Sequence, residues 1–134
     1  MHTKALFHAA KALAQIDCPV LRFNFRGVGR SAGSFTDGPG EQEDFRAALA
    51  FMSARYPDVK NLWAGGMSFG AWVSMAVATA DNRATAMIGI STPVNRWDFS
   101  PVAVKLRPLI PAEPAVAVRG RAAAVGCPQL RVAQ

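Results

Sequence analysis

Histidine and cysteine are scarce in this sequence of 134 residues, which contains two of each. Cys18 and Cys127 belong to no C-x-x-C motif or Cys/His cluster, which argues against a zinc site and against a disulfide-stabilised domain. We interpret both as small apolar residues with reduced thiols. The sequence therefore predicts neither a metal site nor a site for another cofactor.

Long hydrophobic runs are also absent, because no apolar stretch reaches the roughly 18 residues that a membrane-spanning helix needs. Residues 1–4, M-H-T-K, lead into an amphipathic pattern and do not resemble a secretory signal. We expect a cytoplasmic protein that has no membrane partner. Hydrophobic residues make up 51% of the chain, which suits one compact domain, and the length is too small for two.

Acidic residues are rare near the C-terminus. Residues 101–134 contain five basic residues and one acidic residue, so most of the net charge of +6 lies there. No aromatic residue lies among these bases to stack on a nucleotide, so we expect a solvated tail and no nucleic-acid partner. Five prolines and no clear periodicity set this tail apart. We divide the chain into a domain at 1–100 and a Pro/Ala/Arg-rich tail at 101–134, with 116–119 as its one plausible strand.

The first hundred residues alternate between helical and strand patterns. Apolar residues at helical spacing, buried β-branched and aromatic runs, and turn residues between them predict six elements in the order α-β-α-β-α-β. The predicted elements are a helix at 3–15, a strand at 19–25, a helix from 41, a strand at 61–64, a helix at 71–80 and a strand at 86–91. This alternation predicts an α/β fold with three parallel strands.

The residues between the second strand and the third helix match G-x-S-x-G, with Ser68 at the centre. A strand before this motif and a helix after it are typical of a nucleophile elbow, the sharp turn that exposes a serine hydroxyl. We expect Gly66 and Gly70 to be structurally required, because a side chain at either would clash with the neighbouring strand or helix. The alternative is that the motif has only a structural role, in which Gly and Ser are present because they suit a tight turn between a strand and a helix.

A serine hydroxyl becomes an effective nucleophile only when a base takes its proton and donors stabilise the oxyanion that forms. The residue after the serine is placed to supply one such donor from its backbone. We therefore predict that Ser68 is the nucleophile of an acyl-transfer reaction and that the Phe69 N–H stabilises the oxyanion.

A second motif makes the interpretation more specific. Residues 22–31, R-F-N-F-R-G-V-G-R-S, resemble the strand-and-loop signature D-x-R-G-x-G-x-S of the α/β-hydrolase superfamily, with Asn24 where Asp is usual. Together with the elbow, the chain resembles small bacterial α/β-superfamily hydrolases that have E-x-x-D-F and D-F-S motifs. The matching residues here are Glu41, Asp44 and Phe45, and later Asp98, Phe99 and Ser100.

The resemblance implies a serine hydrolase acting on an ester or other small-molecule acyl substrate, but it covers only the middle of that fold. The family's triad runs in the order Ser, acid, His, and this sequence has no histidine after Ser68. Asp81 and Asp98 match loop positions and not the family's acid, and the loop that supplies the second oxyanion N–H would precede the first helix. We therefore expect a hydrolase truncated at both ends.

Two classes of function remain open at this point. The first is an acyl hydrolase, in which His2 could replace the missing base; His8 is better explained as a surface or core-edge residue. The second is a non-catalytic protein, either a decayed hydrolase or a small-ligand binding module that uses the old pocket. In both cases, exposed sheet edges are expected to favour self-association.

The glycine-rich loop also invites a dinucleotide-binding interpretation, since Gly27 and Gly29 form G-x-G after a strand. However, the next glycine, Gly33, comes one position late, and the residues after it do not predict a helix. We expect Arg26 and Arg30 to fix this loop, through backbone carbonyls or acids such as Asp44, and not to bind a cofactor.

Overall fold

The computed structural model describes residues 4–105, which form four helices and two strands. The elements in chain order are α1 (Lys4–Ala14), α2 (Pro39–Arg55), β1 (Leu62–Met67), α3 (Phe69–Ala80), β2 (Ala84–Ile90) and α4 (Ser100–Lys105). The three predicted helices are confirmed, and α2 begins two residues before the predicted start because Pro39 suits a first helical position.

The sheet of the described residues consists of β1 and β2, which are parallel, as predicted. Their register places Trp63 opposite Ala86 and Met67 opposite Ile90. The connection between them is α3, whose Val73 and Val77 are fully buried against the sheet in a core cluster with Phe45 and other apolar residues. Parallel strands with a helical crossover form the α/β arrangement that the alternating pattern indicates.

The predicted strand at 19–25 differs in the structure. Within the described residues, no backbone hydrogen bond joins residues 20–24 to another backbone group, and no strand pairs with them. Of the three parallel strands predicted, two are therefore paired within residues 4–105, and residues 19–25 do not form the third strand there. A β-branched and aromatic sequence favours a strand, but a ladder also needs a neighbouring strand to accept and donate its hydrogen bonds.

Helix α1 has the predicted apolar stripe and little to pack against. Its four stripe residues are half-buried, and none of its side chains is fully buried. These residues are Leu6, Ala9, Ala10 and Leu13. Helix stability in proteins comes mainly from burial of such a stripe, so α1 is held less firmly than α2 or α3.

Helix α4 crosses the predicted boundary between the domain and the tail, and its Val102 is buried. The rest of the predicted tail, including the strand at 116–119, lies outside the described residues, and so does His2. The domain division stays a prediction. None of the described helices has both the length and the apolar character needed to cross a membrane.

Candidate active site at the junction of β1 and α3

Ser68 joins the end of β1 to the start of α3. Its backbone has φ 52° and ψ −122°, a left-handed conformation that L-residues other than glycine rarely adopt. Its N–H donates a hydrogen bond to the Ile90 carbonyl (2.9 Å), which ties the turn to the end of β2. Its side chain forms no hydrogen bond that caps α3, and the residue is exposed. The strained turn therefore presents the hydroxyl at the carboxyl edge of the sheet.

The two motif glycines differ in their steric surroundings. A Cβ on Gly66 would overlap the backbone of Gly70, and would lie 2.7 Å from the Ala71 nitrogen. A Cβ on Gly70 would meet only the Phe25 ring, at an ordinary 3.7 Å. The structure thus supports the predicted requirement at Gly66, whereas at Gly70 a methyl group fits. The difference arises because Gly66 faces the first turn of α3, while Gly70 lies within that turn and faces a ring.

The Phe69 N–H lies at the N-terminus of α3, where the first N–H groups of a helix have no partner within the helix. No backbone hydrogen bond of the described residues uses it. Such groups, together with the positive end of the helix dipole, favour a negative charge nearby. The predicted oxyanion donor is therefore adjacent to Ser68 and has no backbone partner among residues 4–105.

An aromatic cluster surrounds the Phe69 ring, and the sequence analysis did not foresee it. Phe69 contacts four other rings at centroid distances between 5.3 and 6.1 Å. These rings belong to Phe25, Phe35, Trp72 and Trp97. The Trp72 indole N–H also donates to the Asp98 carbonyl (3.1 Å), which connects α3 to the segment before α4. The cluster immobilises the turn and lines it with apolar surface.

Glu41 anchors the glycine-rich loop to the start of α2. It is completely buried, and its carboxylate accepts hydrogen bonds from the Thr36 N–H (2.9 Å), the Thr36 hydroxyl (2.9 Å) and the Gly38 N–H (2.8 Å). Burial acts to raise the pKa of Glu41, but these hydrogen bonds outweigh it and hold the pKa below its ordinary value. Glu41 is therefore a structural carboxylate that stays ionised.

Asp44 fixes the other end of this loop through Arg26. The guanidinium donates to both carboxylate oxygens, and the Arg26 N–H donates to Oδ2 (2.8 Å). The hydrogen bonds from Arg26 hold the pKa of Asp44 below its usual range. The predicted loop-fixing role of Arg26 is thus confirmed. Arg30 is exposed and forms no ion pair within the described residues.

The loop's four glycines have positive φ, and the next helix starts only at Pro39. The loop therefore lacks the helix N-terminus that a dinucleotide pyrophosphate requires directly after its glycines. Within residues 4–105, no group of three or more His, Cys, Asp and Glu side chains is arranged to hold a metal ion.

The described carboxylates that follow Ser68 in the sequence are both engaged elsewhere. Asp81 lies at the far end of α3, about 18 Å along the helix axis, and the hydrogen bonds from Arg83 lower its pKa to about 2. Asp98 accepts hydrogen bonds from the Ser100 hydroxyl and N–H (both 2.8 Å), which lower its pKa. Neither carboxylate orients a histidine in the part of the chain that the structure describes.

His8 is the histidine of the described residues, and it lies exposed on α1. Its ring contacts the Phe7 ring at a centroid distance of 5.6 Å. No hydrogen bond connects it to Ser68 within residues 4–105, which agrees with its interpretation as a surface residue. Among residues 4–105, the structure thus places Ser68 directly before the Phe69 N–H at the start of α3, and neither an acid nor a histidine is hydrogen-bonded to Ser68.

Comparisons with known proteins agree with this geometry. A family model described as serine aminopeptidase, S33, matches residues 1–130. An uncharacterized protein of Rickettsia prowazekii is 39% identical over 103 residues, which are 75% of this chain and 43% of that protein. The chain therefore spans less than half the length of this relative.

Two solved structures are similar to this one. The first is a protein of unknown function from Agrobacterium tumefaciens, assigned to the α/β hydrolases, with 33% identity and a TM-score of 0.71 over 81% of this chain and 48% of that one. The second is an α/β serine hydrolase without a lid from Xanthomonas campestris, with 48% identity and a TM-score of 0.68 over 75% and 45%. With the parallel sheet, the strained serine and the family match, the chain belongs to the α/β-hydrolase family.

Proposed function

We propose that this chain carries the nucleophile of a serine hydrolase that acts on a small ester or other acyl substrate. Ser68 Oγ attacks the acyl carbonyl, the Phe69 N–H stabilises the oxyanion, and the leaving group departs with a proton to form an acyl-enzyme. Water then releases the acid and restores the serine. The observation that carries this proposal is the exposed Ser68 hydroxyl in a left-handed turn at the N-terminus of α3.

The proposal also fits the open surroundings of the serine. The Xanthomonas campestris relative is a serine hydrolase without a lid. Here the aromatic rings of Phe35, Trp72 and Trp97 surround Phe69 beside the serine, and they offer apolar contacts to a substrate's acyl or leaving group. We infer a small-molecule substrate with some apolar surface.

The expected rate of the 134-residue chain is low. Within residues 4–105 neither an acid nor a base lies beside Ser68. Serine hydrolases that lose a member of the triad still accelerate the reaction, but only by about 10³- to 10⁴-fold over its rate in water. The lack of an acid and a base beside Ser68 in the described residues favours a second candidate function. In this alternative, the protein is a non-catalytic member of the family that binds small acyl compounds without hydrolysing them.

The test is acylation by p-nitrophenyl acetate, followed by peptide mass spectrometry. We expect one acetyl group, on Ser68, and loss of this product in Ser68→Ala. Ser91 is a matched control serine, because it is exposed, has φ 51° and directly follows β2, but no helix begins directly after it. Ser91→Ala should leave acetylation unchanged.

Four outcomes are possible, and they separate the candidates. Acetylation of Ser68 with slow release supports the proposed function. Equal acetylation of Ser68 and Ser91 contradicts it, because exposure and backbone conformation alone would then explain the reaction. Binding of the ester without acetylation supports the non-catalytic candidate. Fast turnover that Ser68→Ala abolishes would reveal a base, and His2→Ala would be the variant to assay next.

A further inference from the structure

The segment between β2 and α4 carries an arginine beside the aromatic cluster. The N–H groups of Arg96 and Trp97 both donate to the Pro93 carbonyl, at 3.0 and 3.3 Å, which fixes the backbone of this turn. The Trp72 indole N–H holds the same segment through the Asp98 carbonyl. Arg96 is therefore carried by a turn that is attached to α3, the helix that forms the elbow.

The Arg96 guanidinium lies over the Trp97 ring, with its Cζ 4.8 Å from the ring centroid. Trp97 in turn contacts the Phe69 ring at 5.3 Å and is stacked against Trp72 at 6.0 Å. Phe69 directly follows Ser68, so the guanidinium is connected to the elbow through two aromatic rings. A positive charge therefore lies at the border of the apolar surface beside the serine.

The charge of Arg96 is not neutralised by an acid within residues 4–105. The ion pairs of these residues involve other arginines. Asp98, the carboxylate nearest to Arg96 along the sequence, accepts hydrogen bonds from Ser100 instead. A guanidinium that is exposed, unpaired and already held against a ring can bind a carboxylate with little further loss of side-chain freedom.

A second stacked arginine offers a comparison. Arg55 is also exposed, and its Cζ lies 5.3 Å from the centroid of the Tyr56 ring, at the C-terminal end of α2. The N-terminal end of α2 is the end near the elbow, because the Gly38 backbone approaches the Trp72 ring. With 17 residues, α2 is about 25 Å long. Arg55 thus resembles Arg96 in chemistry but lies at the far end of the fold.

We propose that Arg96 determines substrate specificity by binding the anionic group of an ester, so that the preferred substrate carries a carboxylate several bonds from the reacting carbonyl. The inference rests on the proposed function of Ser68, because it describes the substrate of that site. Several bonds are needed because the rings of Phe69 and Trp97 lie between the serine and the guanidinium. These rings contact the substrate's apolar chain, and the guanidinium contacts its charged end.

The experiment compares two esters that differ only in charge. One is the mono-p-nitrophenyl ester of suberic acid, whose second carboxylate is free, and the other has the same chain with that carboxylate as a methyl ester. Acylation of Ser68 is followed by p-nitrophenolate release and peptide mass spectrometry. We expect the charged ester to react about fivefold faster at low ionic strength, which is the effect of a well-placed exposed ion pair. This ratio should approach one in about 1 M NaCl.

Three variants assign the preference to a residue. Arg96→Gln removes the charge and should bring the ratio of the two rates close to one. Arg96→Lys keeps the charge but lacks the planar group that stacks on Trp97, so we expect an intermediate ratio. Arg55→Gln is the matched control, because it removes the same charge from a similar stack, and it should leave the ratio unchanged. Both arginines are exposed, so all three variants should melt like the original chain.

Three results would overturn the proposal. A ratio near one in the original chain means that the site has no preference for the anion. A ratio that stays near five in Arg96→Gln assigns the preference to another charge. An equal fall in Arg55→Gln means that the net charge of the chain, and not the position of Arg96, attracts the ester.

A binding measurement separates this inference from the proposed function. Monomethyl suberate, which has one carboxylate and no reactive ester, is titrated into the Ser68→Ala chain while tryptophan fluorescence is followed, with dimethyl suberate as the neutral comparison. A saturable change with the anion alone, lost when Arg96→Gln is added and kept with Arg55→Gln, supports the anion site even if Ser68 is never acylated. Equal acylation by both esters without this saturable change supports the proposed function and overturns the role of Arg96.

Discussion

Helices α1 and α3 are of similar length, eleven and twelve residues, yet five residues of α3 are buried and none of α1 is. Helix α3 packs against β1 and β2, which directly precede and follow it in the sequence, and also against α2 and α4. The 62–90 region is thus a β-α-β unit that positions Ser68, and α2 completes its core with Phe45 and Leu49. Within the described residues, the segment that follows α1 has no strand beside it, and α1 buries none of its side chains fully. The difference shows that an amphipathic stripe predicts a helix, but that neighbouring elements decide how firmly it is held.

The largest effect on stability is expected for Gly66→Ala, at the junction of β1 and α3. Its Cβ would overlap the Gly70 backbone, which cannot move without displacing the first turn of α3. We expect a loss of roughly 3 kcal/mol or more in the free energy of unfolding, measured by urea denaturation. Gly70→Ala is the matched control and should stay within about 1 kcal/mol of the original chain, because its Cβ makes an ordinary contact. Equal losses in the two variants would contradict the steric account.

The next largest effect is expected when the same substitution, Leu→Ala, is made in α2, which packs against α3, and in α1. Leu49 in α2 is 4% accessible, whereas Leu13 in α1 is half-buried. Leu49→Ala should lower the free energy of unfolding by roughly 2 to 5 kcal/mol, and Leu13→Ala by less than about 1 kcal/mol. Similar losses would mean that α1 has packing partners in solution that residues 4–105 do not supply.

Ionised Glu41 should make the free energy of unfolding depend on pH. Its pKa is lower in the folded chain than its ordinary value, so its contribution is fully present above about pH 5 and is lost as the pH falls through the folded pKa. Glu41→Gln should cost about 2 kcal/mol at pH 7, because an amide leaves one donor of the Thr36 and Gly38 group unpaired. Thermal melts of both chains between pH 7 and pH 3 test this, and the difference should shrink towards pH 3. A constant difference would contradict it.

The smallest effect concerns the strain at Ser68. Glycine adopts positive φ without steric cost, so Ser68→Gly should be more stable than Ser68→Ala by up to about 1 kcal/mol. Both variants remove the hydroxyl, so a comparison of their melts isolates the backbone term. A less stable Ser68→Gly would show that the turn is not strained in solution.

The local parts of the fold could be predicted well from the sequence. The expected helix at 3–15 is observed as Lys4–Ala14, and the strand at 86–91 as Ala84–Ile90. The strand expected at 61–64 extends to Met67, because Gly65 and Gly66 belong to the ladder. These elements follow from hydrophobic periodicity and turn residues, which act over a few positions.

Several features of the site could not be predicted because they depend on distant residues. The rings of Phe35, Trp72 and Trp97 meet around Phe69 only because the loop before α2 and the segment before α4 fold onto the same turn. The freedom at Gly70 depends on how closely Phe25 approaches it. The E-x-x-D-F motif is a point of resemblance in the sequence, but the hydrogen bonds by which Glu41 and Asp44 hold the loop are visible only in three dimensions.

The sequence by itself determined the helices, the strand-serine-helix order and the membership of a hydrolase family, since these depend on short patterns and on motifs. Only the tertiary structure decided which strands pair. Residues 20–25 have the composition of a strand, but a ladder needs hydrogen-bonding groups from another segment, and no such segment lies beside them in the described chain. The tertiary structure also decided that Ser68 adopts φ 52°, because that angle is imposed by joining a strand bonded to β2 with a helix packed on the same sheet.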